Sequence, residues 1–196
     1  MKISKSIANR FIIYLISILF ILCSCTNKRW IKDVEQFMGQ QITVSSDLSA
    51  IWNSRDTVIA DFTQLPIKLI VWYDSLICGS CEISKMYVWD EITTYADSLA
   101  QWFSIVFLFS PKKEDLRKVN ISLKTGKFDY PVFIDHNATF AKQNKLPKNR
   151  RLHTFLLDKN NNVVLIGSPL YNPSLWTLYQ RTIQTMMDNE GILPKK

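Results

Sequence analysis

The order of apolar and polar positions divides the chain into distinct segments. Ile67-Lys68-Leu69-Ile70-Val71-Trp72-Tyr73 is a β-branched and aromatic run with one polar member, the pattern of a central strand covered on both faces. After a short polar break, Ile83, Met86, Trp89, Ile92, Ala96 and Leu99 recur at intervals of three and four, which predicts one long helix with a single buried stripe. Residues 102–109 read as a second buried strand, and Ser110-Pro111 supplies a cap and a first-turn proline for a helix over 112–123. Strand, helix, strand, helix implies a parallel pair. Residues 129–135 predict a short strand, which Pro131 assigns to a sheet edge. A helix over 138–146 stops at Pro147. Residues 152–157 and 163–166, joined by the polar run Asp158-Lys159-Asn160-Asn161-Asn162, predict an antiparallel hairpin. The last helix opens with Asn172-Pro173 and places Leu175, Leu178, Tyr179, Thr182, Ile183, Met186 and Met187 on one face, a packing stripe rather than a ligand box.

Ahead of this core, a tether from residue 25 runs into a short helix over 30–37, ended by Gly39. Ile42-Thr43-Val44 and Thr57-Val58-Ile59-Ala60 are strand-like and predict a hairpin added to the sheet edge. At the extreme N-terminus Lys2, Lys5 and Arg10 precede an uncharged apolar block over 11–22, too short for a membrane span of roughly 20 residues and suited to a leader. Leu22-Cys23-Ser24-Cys25 resembles the lipobox of bacterial lipoprotein signal peptides. The resemblance implies a leader over 1–24, lipidation of Cys25, and a protein anchored by lipid in the cell envelope. Thr26 after the cysteine implies the outer membrane, facing the periplasm, if the cell has two membranes. The other reading is an uncleaved signal anchor.

The 196 residues leave room for one domain, over 41–190, with a tail over 191–196. Five glycines and the absence of GxGxxG or Walker patterns exclude the phosphate-binding loops. The formal charge of +7 falls to +4 without the leader, and no basic run with interleaved aromatics occurs, so no nucleic-acid partner is expected. With Cys23 removed and Cys25 acylated, Cys78 and Cys81 are the free thiols of the mature chain. Export places them where disulfides persist. Their spacing closes too small a loop for a structural staple, which points to redox chemistry.

Strand, Cys78-Gly79-Ser80-Cys81, helix, strand, helix, hairpin and final helix is similar to thioredoxin-like proteins, in particular the TlpA and ResA type of exported thiol–disulfide oxidoreductases. The second carrier of the resemblance runs from Tyr130-Pro131-Val132-Phe133-Ile134-Asp135 to Thr154-Phe155-Leu156-Leu157-Asp158 and on to Val164. It implies an α/β three-layer fold, with a central mixed β-sheet flanked by helices and, here, an N-terminal strand extension. It also implies a redox-active disulfide with no other cofactor, and as partners protein thiols or disulfides and a redox partner protein. Three positions depart from the family. Ile77 stands where a tryptophan usually precedes the first cysteine, and Leu152, between Arg151 and His153, stands where a cis-proline faces the cysteines. Val71 and Ser75 replace the proline and threonine of the peroxidatic motif, which argues against a peroxidase.

These residues define the expected site. Cys78, at the exposed start of a helix, is the nucleophile, its thiolate favoured by the free N–H groups there. Cys81, one turn inside, resolves the mixed disulfide. Gly79, Ser80, Arg151, Leu152 and His153 shape the substrate groove. Asp74 and Glu82 bring negative charge, so a mild potential is expected. Two other readings remain: a copper or zinc chaperone holding the ion with Cys78, Cys81 and His153, in the manner of the Sco-type proteins, and a non-catalytic interaction lipoprotein on the same fold.

Overall fold

The computed structural model describes residues 30–44, 48–52, 55–57, 63–99, 101–126 and 128–194. The expected leader over 1–24 and the candidate lipidation residue Cys25 lie outside them. By its internal contacts the chain divides after Gln36. In the first part residues 30–36 are helical. In the second part the chain turns at Gly39, whose φ of 74° suits the residue without a Cβ.

Seven strands make up the sheet: β1 (Ser49–Trp52), β2 (Arg55–Thr57), β3 (Ile67–Tyr73), β4 (Phe103–Phe109), β5 (Val132–Ile134), β6 (Thr154–Leu157) and β7 (Val163–Ile166). They join in the order β2-β1-β5-β4-β3-β6-β7. β3, β4 and β5 run parallel, with Ile67 opposite Phe103 and Phe107 opposite Val132, while the outer pairings are antiparallel. The α-helices that flank the sheet are, among the described residues, α1 (Gly79–Ile83), α2 (Asp90–Ser98), α3 (Leu116–Thr125), α4 (Thr139–Asn144) and α5 (Pro173–Met187).

Side chains alternate across a strand, and here both alternations are apolar. Ile67, Leu69 and Val71 with Phe103, Ile105, Phe107 and Phe109 share a core with Ile83, Trp89, Ile92, Val119, Tyr179 and Ile183 from the helices. On the opposite face Trp72 meets Phe140 of α4 at 6.5 Å between centroids, and Phe155 takes Phe37 edge-on at 5.0 Å. The sheet is therefore the middle of three layers, as expected. Lys68 lies on this second face, 3% exposed, and its ammonium donates to the Leu65 carbonyl.

Several expected boundaries move. The long helix is broken after α1: the Ser84 hydroxyl bonds the Cys81 carbonyl, and a 3-10 turn, Met86–Trp89, separates α1 from α2. Its buried stripe survives, with Ile83, Met86, Trp89, Ile92 and Ala96 all inside. Ser110 does not cap a helix. Its hydroxyl is buried between the Trp72 indole, 2.9 Å, and Asp135, 3.1 Å, and α3 starts only at Leu116. β5 is internal rather than an edge, because Pro131 precedes the strand and removes no ladder bond. On α5 Leu178 faces solvent, and Trp176 takes its place inside.

The strand extension is real, and of the residues expected in it Thr57 takes part. β1 and β2 form it beside β5, and 58–60 fall outside the described residues. Ile42-Thr43-Val44 is no strand: this segment lies along the opposite edge, through Ile42 N–H to the Asn161 carbonyl and a bridge between Gln41 and Asn162. The second part begins at Phe37, and within it Gly191 packs beside Lys159 and Pro66, its carbonyl accepting the Lys159 N–H at 2.9 Å. Among the described residues no helix is long and apolar enough to cross a membrane.

Candidate active site

β3 ends at Tyr73, and Asp74 organises the turn leading to the cysteines. Its Oδ1 accepts the Leu76 N–H at 2.8 Å, its carbonyl accepts the Ile77 N–H, and its Oδ2 meets the Arg150 Nε at 3.3 Å. An aspartate closing a turn on its own downstream N–H groups is the usual device for a tight reversal. The turn delivers Cys78 to the N-cap position of α1.

Cys78 and Cys81 are joined by a disulfide with an S–S distance of 2.08 Å. Both residues are exposed, so Cys81 is not tucked one turn inside as expected. α1 holds only five residues before the break, and its macrodipole is correspondingly small. What remains to favour a thiolate on Cys78 is the set of free N–H groups in that first turn. Ser80 Oγ lies 3.6 Å from Cys78 Sγ. Gly79 lets α1 and α3 approach: a Cβ there would lie 2.9 Å from Val119 Cγ2.

Beside the disulfide is a hollow of about 200 Å³, lined by Cys78, Gly79 and Ser80 and, from the other wall, by Lys112, Asp115 and Val119. From the sequence Lys112 reads as part of a small solvated basic cluster with Lys113, and neither it nor Asp115 is expected at the site. Topology could have found them: Tyr73 pairs with Phe109 in parallel register, so the loops leaving these neighbouring strands share one edge, where ligands of such sheets collect.

The other expected groove residues are placed differently. Arg150–Leu152 form a 3-10 turn capped by Asn149, with Arg151 exposed and Leu152 fully buried. None of Arg151, Leu152 and His153 lines the hollow beside Cys78. His153 is 4% exposed; its Nε2 lies 2.8 Å from the Pro147 carbonyl, and its ring sits 4.2 Å from that of Trp72. Burial pulls its pKa down, and Arg150 adds to this; the Pro147 bond and the Asp74 charge oppose them without reversing the shift. A neutral ring donating through Nε2 is the result. The described residues contain no group of three His, Cys, Asp or Glu able to hold a metal, so the set Cys78, Cys81 and His153 is not assembled.

β3 feeding the disulfide, β4 parallel beside it, the antiparallel β6 and β7 on its other side and α5 closing the chain reproduce the order expected from the sequence. The fold is thioredoxin-like. No protein-family model and no curated protein matches the chain. It is similar to a Chlorobium tepidum structure provisionally assigned as the thiol:disulfide interchange protein DsbE, at 16% identity and a TM-score of 0.49 over 76% of this chain and 97% of that one. A provisionally assigned protein disulfide isomerase from Bacteroides thetaiotaomicron gives 15% and 0.48 over 77% and 90%. A provisionally assigned thiol-disulfide oxidoreductase from Bacteroides vulgatus gives 16% and 0.48 over 74% and 95%. The fold assignment rests on this chain's own strand order, and the chemistry of the site on its own residues.

Proposed function

We propose that the protein is a thiol–disulfide oxidoreductase that exchanges disulfides through Cys78 and Cys81. One observation carries the reading: the disulfide sits on an exposed turn at the carboxyl end of the parallel strands. A bridge with a sequence separation of 3 constrains the unfolded chain little. Its exposure instead suits attack by an incoming thiolate. Cys78, which lines the hollow, is the nucleophile when reduced. Cys81, close enough to bond it, expels the substrate from the mixed disulfide. Asp74 and Glu82 are each paired with a cation, Arg150 at 3.3 Å and Lys85 at 3.7 Å, which offsets the charge they would set against a thiolate. The polar contact to Cys78 Sγ is the neutral Ser80 hydroxyl at 3.6 Å, with Lys112 across the hollow, and the proposal includes a mild potential.

The leader and the lipobox-like Leu22-Cys23-Ser24-Cys25 extend the proposal to a protein anchored by lipid at Cys25 in the cell envelope, on the periplasmic side of the outer membrane where there are two membranes. Its partners there are proteins carrying thiols or disulfides, one of them resetting the pair. The test is trapping: with Cys81→Ala expressed from its own leader, mixed disulfides to Cys78 accumulate in the envelope fraction and disappear on reduction. No adduct from Cys81→Ala, or adducts that persist in Cys78→Ala/Cys81→Ala, would contradict the proposal.

A further inference from the structure

Resting on the exchange activity proposed above, the hollow beside Cys78 says more about what is exchanged. Its volume, about 200 Å³, lies below the roughly 300–1,000 Å³ of pockets that enclose drug-sized ligands, and suits a group the size of one amino acid. Its lining is more polar than apolar and carries one charge of each sign, Lys112 and Asp115. These charges are not consumed by each other. Among the described residues neither is held in an ion pair, unlike Glu82 with Lys85 and Asp74 with Arg150. Asp115 occupies the N-cap position of α3, yet its carboxylate makes no cap bond. Ser80 Oγ faces Cys78 Sγ on the near wall.

An ammonium and a carboxylate flanking a reactive sulfur complement a molecule that carries the opposite pair close to its own sulfur. Free cysteine and its disulfide have this chemistry, since both charged groups sit on the carbon next to the sulfur-bearing one. A cysteine inside a polypeptide does not, because its amino and carboxyl groups are spent in peptide bonds. We infer that, beside protein partners, the site takes low-molecular-weight thiols and disulfides with an amino-acid headgroup, Lys112 binding the carboxylate and Asp115 the ammonium.

The exchange balances without a further reactant. The Cys78 thiolate attacks one sulfur of the small disulfide, whose S–S bond breaks and releases the first thiol. The Cys81 thiolate then attacks Cys78, breaking the mixed disulfide and releasing the second. Two electrons pass from the protein dithiol to the small disulfide, and two protons appear on the two released thiols.

The test uses the full chain, reduced and freed of reductant, in single turnover with cystine, cystamine, 3,3′-dithiodipropionate and hydroxyethyl disulfide. Each rate is divided by that of the same disulfide with dithiothreitol, which removes intrinsic reactivity. The expected order puts cystine about tenfold above hydroxyethyl disulfide, each exposed charge contact supplying about threefold. Lys112→Ala lowers the ratio to hydroxyethyl disulfide for cystine and dithiodipropionate, Asp115→Asn for cystine and cystamine, and Lys112→Arg restores the first. Equal normalised rates for all four disulfides, or variants that move all four together, would overturn the inference while leaving exchange intact. A reduced protein inert even to hydroxyethyl disulfide overturns the exchange reading and this inference with it.

Discussion

Asp135 lies 3% exposed at the end of β5, and its carboxylate accepts from Thr139 N–H, Thr139 Oγ1, Phe140 N–H and Ser110 Oγ. Burial alone would raise its pKa, but these four bonds together outweigh it and leave the carboxyl below its ordinary value. By linkage, the contribution to stability is complete above the unfolded pKa near 3.9 and is lost as pH falls through the lower folded value. Asp135→Asn should cost about 3 kcal/mol in urea unfolding at pH 7 and flatten the loss of stability below about pH 4. An unchanged acid slope would show that other carboxylates dominate. Lys68 behaves in the opposite sense. Burial pushes its pKa down to about 8, with Asp158 only partly opposing it. Between about pH 8 and 10.5 the unfolded chain holds a proton that the folded one has released, so stability rises with pH over that window. The rise should amount to roughly 3 kcal/mol and vanish in Lys68→Met, read as the difference between the two unfolding curves at pH 7 and 10.

At the scale of elements, the contact between α1 and α3 is the most sensitive joint of the site. Gly79→Ala places a methyl 2.9 Å from Val119 Cγ2, on a side chain that is fully buried. The cost should be about 1–3 kcal/mol. Val119→Ala in the same chain should return part of it, measured as a positive coupling in a double-mutant cycle; additive effects would place the strain elsewhere. These elements also mark how far sequence patterning carries. β3, β4, β6 and β7 were legible because each is a continuous apolar run bounded by polar turns, and the N-terminus of α5 because Asn172 accepts the Leu175 N–H just as its position promised. The break after α1 was not, since the stripe from Ile83 to Ala96 keeps its period through the 3-10 turn. Ser110 misled for a different reason. A serine before a proline looks the same whether its hydroxyl caps a helix or, as here, joins Trp72 to Asp135 inside the sheet. β1 was missed because Ser49–Trp52 is too short to show alternation.

For the molecule as a whole, the sequence located the disulfide pair, while the second wall of the hollow needed the parallel register of β3 on β4 to come into view. The metal-holding alternative rested on His153 approaching the sulfurs, and the fold instead commits that ring to Pro147 and Trp72. What the assembled molecule offers is an exposed cross-link at the carboxyl end of the parallel strands. The most direct test is its reduction potential, read by equilibrating the full chain in glutathione and dithiothreitol redox buffers and alkylating the free thiols. A single two-electron transition is expected between about −270 and −180 mV, the range from thioredoxin to protein disulfide isomerase. A pair that stays oxidised below about −300 mV would be a structural bridge, and one that is reduced near −120 mV a strong oxidant; either result would contradict this expectation.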